Sequence, residues 1–196
     1  MNPPLPGTRP SLSAAIGASN ARELELLRLI AQGDRVAFRE IYLAYHRRLA
    51  RFLMRMTFRH DVIEEVINDT LWTVWRKAAD FRGESQVSTW VVGIAYRRAL
   101  KALRATHSTR MLQIENAAAT VDPQTLDENR QWLDCALAEL PFEQRMVLEL
   151  SYLLGHSCEE IASIMHCPVN TVKTRMFHAR QKMRSSLPRL AGAAKP

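Results

Sequence analysis

The sequence predicts an all-α chain made of two small helical domains on a flexible linker. Three observations carry that prediction. Apolar residues recur at helical spacing through most of the 196 residues. Alternating, strand-like runs are hard to find, and glycine is scarce, with 7 residues. The periodicity then lapses from about 105 to 128 and returns beyond it, as expected of a tether between two packed units.

Taken in order, residues 1–19 are rich in Pro, Ser, Ala and Gly and read as a disordered tail. Helical spacing begins near Ala21 with Leu24, Leu27, Ile30 and Ala31. Gly33-Asp34 marks a turn. A second helix carries Phe38, Ile41, Tyr42, Tyr45, Leu49, Phe52, Leu53 and Met56 on one broad stripe, with Arg47, Arg48, Arg51 and Arg55 on other faces. A third runs from about Asp61 to Ala79, with Ile63, Val66, Ile67, Leu71, Val74 and Ala78 inward and Glu64, Glu65 and Asp69 outside. After the polar turn Arg82–Gln86, a fourth helix starts near Ser88 and ends about Arg104. These helices make a first domain, 20–104. Residues 105–128 form the linker, 129–188 a second domain and 189–196 a tail.

Composition narrows the function classes. Hydrophobic residues make up 47%, enough for packed cores, and the net charge of +7 suits a polyanionic partner as well as plain solubility. No apolar run reaches the roughly 20 residues that span a bilayer, so no direct membrane insertion is expected. Cys135, Cys158 and Cys167 are odd in number and form no CxxC pair, which fits a reducing cytoplasm. His156, Cys158, His166 and Cys167 lack a usual zinc spacing and read as thiols packed near a helical core, so no metal site is expected.

The most specific local signal lies in 141–184. Leu154-Gly155 can close a helix through a left-handed glycine. Ser157-Cys158-Glu159-Glu160 is a capping box. Ile161, Ala162 and Met165 face inward, His166-Cys167 forms a tight turn, and Pro168 suits the start of the next helix, with Val172, Met176 and Ala179 buried. This is helix-turn-helix grammar. The outward face carries Asn170, Thr171, Lys173, Thr174, Arg175, Phe177, His178 and Arg180, and Lys173–Arg189 holds six Lys or Arg and no acid. Such a face suits phosphate clamping and base-edge contact in a major groove. The competing reading is a solvated face on a structural hairpin.

The run Leu140–Arg145, Ser157–Ala162 and Pro168–Arg175 resembles sigma domain 4 of the extracytoplasmic-function (ECF) sigma factors of the sigma-70 family. The resemblance implies −35 promoter contact by Thr171, Lys173, Thr174, Phe177, His178 and Arg180. His166 departs from the family's common glycine in the turn, a position histidine tolerates. His178 stands where Arg is frequent.

Two N-terminal stretches extend the likeness. Ile63–Arg76 is an acidic amphipathic helix with Trp72 and Trp75, suited to protein docking or to a plain core helix with a solvated side. It resembles the polymerase-binding helix of sigma domain 2, which implies core RNA polymerase contact by Glu65, Asn68 and Asp69. Val62 replaces the commoner acid. The second stretch, Phe81–Ala95 followed by Tyr96, Arg97, Arg98, Lys101 and Arg104, sets an aromatic-flanked polar loop beside a basic helix. That combination suits unstacked single-stranded bases. It resembles the −10-reading segment, which implies contact by Phe81, Ser85, Trp90, Arg97, Arg98 and Lys101. Gly93 stands where Arg is frequent and Arg97 where Asn is frequent.

The ordered set therefore implies a cytoplasmic, non-catalytic initiation subunit. It would bind core RNA polymerase and promoter DNA, need no cofactor and be controlled by an anti-sigma factor. An autonomous helix-turn-helix regulator leaves the two-tryptophan helix and the Phe81–Trp90 loop without a task. A metal-dependent nuclease needs a convergent acidic or His site that the sequence does not assemble. A pure adaptor leaves the basic helix unused.

Overall fold

The structure is a computed structural model that describes residues 12–111 and 128–193. The described residues are all α. The helices are α1 (Leu12–Ala31), α2 (Arg35–Leu53), α3 (His60–Lys77), α4 (Val87–Met111), α5 (Glu128–Ala138), α6 (Phe142–Leu148), α7 (Cys158–Met165) and α8 (Val169–Ala193).

The first unit packs α1 to α4 around the stripes their sequences carry. Ile41, Tyr45, Leu49 and Phe52 of α2 meet Ile63, Val66, Ile67, Leu71 and Val74 of α3, all buried. Leu26, Leu27 and Ile30 close the core from α1, and Val87, Val91, Val92 and Ala95 from α4. Local chemistry sets the helix starts. Gly33 takes a positive φ of 87°, and Asp34 then accepts from the amides of Val36 and Ala37 at 2.7 and 3.1 Å. The first amide of α4 is capped from a distance, because Val87 N–H donates to Asn20 Oδ1 at 3.0 Å. Tyr45 donates to Glu23 at 2.7 Å, and burial pushes its phenol well above the ordinary value.

The second unit packs α5 to α8 around Met146, Leu150, Ile161, Ile164, Val172, Met176 and Ala179. Between α6 and α7 the chain makes a single π turn, Glu149–Leu153. Gly155 follows at φ 76°. The capping box forms in full: Glu160 N–H donates to Ser157 Oγ at 3.2 Å, and Ser157 N–H donates to Glu160 Oε2 at 2.8 Å. His166 closes α7 in the left-handed region at φ 50°, as the turn requires.

Several expectations are corrected. α1 begins at Leu12, inside the expected tail, since Ala14, Ala15 and Ala18 follow the last interrupting proline, Pro10, and favour a helix. α4 runs on to Met111 and α8 to Ala193, past the expected ends at Arg104 and 188. Ile164, not Met165, is the fully buried residue at the end of α7. The expected helix from Phe142 to Leu154 is divided by the π turn. The expectations for residues 1–11, 112–127 and 194–196 lie outside the described residues. Cys135, Cys158 and Cys167 are free thiols, and the latter two pack partly buried against the core.

His156 lies buried between Gly155 and the capping box, with its Nδ1 facing Glu160 at 3.7 Å and Arg48 of α2 nearby. Burial pushes its imidazole down to about 4, against the opposing pull of Glu160. Folding therefore favours the neutral ring. That contribution is complete above the ordinary value of 6.5 and is lost as pH falls towards 4. Acidification from pH 7 to pH 5 should cost about 2 kcal/mol of stability through this group. Denaturant unfolding of the native chain and of His156→Asn at both pH values checks this. An undiminished pH dependence in the variant would assign the effect elsewhere.

Candidate functional site

The expected site residues fall on three surfaces. On α3, Glu65, Asn68 and Asp69 are exposed, and Trp72 continues the same stripe at 58% exposure. The spacing i, i+3, i+4, i+7 puts all four on one face. Its second tryptophan does different work: Trp75 is half-buried edge-on against Phe38, with ring centroids 5.1 Å apart. Asn68 Oδ1 accepts from Tyr42 at 3.4 Å. Asp69 is ion-paired with Arg98 of α4, and Arg98 also donates to Thr73 Oγ1 at 2.7 Å. The polymerase-facing and −10-facing candidates thus share an ion pair.

The second surface joins the Arg82–Gln86 turn to α4. Phe81 and Trp90 bracket that turn, both half-buried, with ring centroids 5.0 Å apart and planes inclined at 47°. Gly83 supplies a left-handed residue at φ 74°. Ser85 donates to the Gln86 carbonyl at 3.3 Å. Lys101 is exposed on the next turns of α4. Arg97 folds back along the helix, and a Cβ at Gly93 would sit 3.2 Å from its Nη1. Its guanidinium meets His166 Nε2 at 2.9 Å, and burial lowers its pKa.

The third surface is the outer face of α8. Lys173, Thr174, Phe177, His178 and Arg180 are exposed together, with Thr171 half-buried beside them. Phe177 and His178 stand edge to face at 5.5 Å. Thr174 donates to the Asn170 carbonyl at 2.9 Å. Gln144, Asn170, Thr171, Thr174, Arg175 and His178 line a shallow groove of about 290 Å³.

Some placements differ from the sequence reading. Arg175 turns inward from the expected outer face, towards Glu143 at 3.7 Å and Cys167 Sγ at 3.7 Å. Tyr152, which sequence reasoning passed over, is 69% exposed on the π turn, and Arg180 lies over its ring at 5.8 Å. Helical spacing alone gave no signal for it. The four residues His156, Cys158, His166 and Cys167 are not assembled into a group able to hold a metal ion among the described residues.

Comparisons with known proteins follow the same division. Sigma-70 region 2 matches residues 41–109, and sigma-70 region 4 matches 130–183. The ECF RNA polymerase sigma-E factor of Salmonella typhimurium is 31% identical over 171 residues, covering 80% of this chain and 89% of the relative. Among solved structures, CnrH in complex with the cytosolic domain of CnrY has a TM-score of 0.65 at 20% identity, covering 85% of this chain and 97% of that one. That likeness is one of fold. The sigma factor RpoE of Bartonella quintana, solved with the anti-sigma factor NepR, has a TM-score of 0.61 at 27% identity, covering 77% and 96%. With both sigma regions in order and a relative spanned almost end to end, this chain belongs to the ECF RNA polymerase sigma factors of the sigma-70 family.

Proposed function

We propose that this sigma factor engages its partners through the three surfaces in a fixed division of labour. The Glu65, Asn68 and Asp69 stripe, with Trp72 at its end, docks on core RNA polymerase. Exposed carboxylates steer such an encounter, and an exposed tryptophan supplies apolar contact area. The turn between Phe81 and Trp90 receives an unstacked base of the −10 strand, with Ser85 as a polar contact, while Arg97, Arg98 and Lys101 hold phosphates. The outer face of α8 reads the −35 duplex. Thr171, Lys173 and Arg180 serve the backbone, and Thr174, Phe177 and His178 lie towards base edges.

The observation that carries this reading is the joint exposure of Lys173, Thr174, Phe177, His178 and Arg180 on one acid-free helix face. Polymerase supplies the bond-making chemistry. The chain works as its non-catalytic initiation subunit in the cytoplasm, with no cofactor. The Bartonella relative is solved with an anti-sigma factor, and a partner of that kind for this chain belongs to the same proposal.

Core polymerase pull-down, followed by transcription from a genomic promoter library, tests the whole. Stable association and new start sites sharing a −35 and a −10 element are expected. Duplex binding without polymerase association would favour an autonomous regulator.

Two predictions separate the surfaces. Lys173→Ala and Arg180→Ala should each weaken holoenzyme binding to promoter DNA about fivefold and reduce the salt slope by about one unit. Titration at several salt concentrations reads both, and an unchanged slope would remove these residues from the phosphate contacts. Asp69→Ala should weaken core association, whereas Arg98→Ala, which breaks the same ion pair, should leave it largely intact and impair promoter opening. Equal loss of core binding in both variants would mean that the pair acts only as a structural brace.

A further inference from the structure

Tyr152 stands outside the residues assigned to the three surfaces, yet it touches one of them. It is 69% exposed on the π turn, and among the described residues no hydrogen bond engages its hydroxyl. The Arg180 guanidinium lies over its ring, 5.8 Å from the centroid, within the range of a cation–π attraction. Arg180 forms no ion pair among the described residues. The ring is the group that this cation meets as it leaves α8.

The π turn delivers the ring and is itself pinned. Leu154 N–H donates to the Glu149 carbonyl at 3.3 Å, and His156 N–H donates to the Leu150 carbonyl at 3.0 Å. The wider turn sends Glu149 inward and Tyr152 outward. Glu149 then anchors it. Buried, it faces Arg55 of α2 at 3.7 Å, and Arg55 is also ion-paired with Asp134 of α5. Arg48 of α2 donates to the Leu154 carbonyl at 2.9 Å across the same seam between the two units. Leu150 and Leu154, on either side of Tyr152 in sequence, are buried. The ring therefore projects from a fixed backbone, and π turns of this kind are frequent at functional sites.

Two arginines of α8 have neighbours of different chemistry. Arg175 meets the Glu143 carboxylate at 3.7 Å and is half-buried. A carboxylate offsets the charge of a guanidinium and competes with phosphate for its N–H donors. An aromatic ring attracts the same cation through its π face and leaves the in-plane donors unspent. It narrows the range the side chain sweeps and keeps the charge whole. An arginine already held in this way loses less side-chain freedom when it closes on a phosphate. We infer that Tyr152 is a positioning residue for −35 recognition, whose ring holds the Arg180 guanidinium at the outer face of α8 for a DNA phosphate. The inference rests on the −35 reading of α8 made above. Arg180 lies three residues beyond Phe177 and seven beyond Lys173, all exposed, so the supported cation ends the same row of side chains.

The test uses holoenzyme assembled from the full chain and core polymerase, on a promoter fragment recovered from the genomic library. Tyr152→Ala should weaken promoter binding about threefold, less than Arg180→Ala, and lower the salt slope in the same direction. Tyr152→Phe keeps the ring face and should bind as the native chain does. In an Arg180→Ala background, Tyr152→Ala should cost nothing further, because the two residues act through one contact. Core association and the denaturant midpoint should stay unchanged in Tyr152→Ala, since the ring is exposed. Normal binding by Tyr152→Ala, the same loss with Arg180 already removed, an equal loss in Tyr152→Phe, or a loss that comes with a lowered midpoint would each overturn the positioning role. The −35 reading is judged separately by Arg180→Ala alone. If that variant loses affinity while Tyr152→Ala does not, the reading of α8 stands and only the part given to the ring falls. An Arg180→Ala variant that binds like the native chain, with an unchanged salt slope, removes both.

Discussion

One carboxylate holds three local structures in register. Glu160 Oε2 accepts from the Ser157 amide and so completes the cap of α7. Its Oε1 accepts from Thr89 across the seam, while buried His156 faces it from the preceding turn. Each interaction alone is worth on the order of 1 kcal/mol. Together they place the first helix of the helix-turn-helix at a defined height on α4. His166 at the other end of α7 then meets Arg97 two helical turns along. The orientation of α8 follows from that of α7 through the tight turn. The outward presentation of Lys173 to Arg180 thus depends on a cap twelve residues before α8 starts.

Much of this was legible in the sequence because it is local. Apolar spacing marked the inward faces of α2 and α3 with few errors, since 3.6-residue periodicity is imposed by burial itself. The capping box, the left-handed Gly155 and the left-handed His166 were legible for a related reason. Each is a short-range solution to unpaired backbone groups, and only a few residue types supply it. The exposure of Glu65, Asn68, Asp69 and the α8 face follows from the same periodicity read in reverse.

What was not legible depends on distance or on a change of period. The π turn shifts the register of Glu149–Leu153, which sends Tyr152 outward and Glu149 inward. Helical spacing assigned neither. Arg175 looked like part of the cationic face until Glu143 and Cys167 drew it back. The seam is the largest omission. Its contacts join residues 71, 79 and 106 positions apart, as in Thr89–Glu160, Arg55–Asp134 and Arg48–Leu154. A weak linker pattern suggested independent units, and no local signal opposed it.

α4 concentrates the consequences. Its inward face completes the first core, one flank carries Arg98 to Asp69 of α3, and another lies under α7. A glycine inside such a helix costs roughly 1 kcal/mol relative to alanine, so Gly93 calls for a compensating use. The structure supplies one, because the Arg97 guanidinium lies back against that position, and a Cβ there would force it to yield by a few tenths of an ångström. The space at Gly93 lets the Arg97 guanidinium rest against His166 at the end of α7. The glycine and the arginine one turn beyond it thus act as a pair, and together they fix α4 against the turn of the helix-turn-helix.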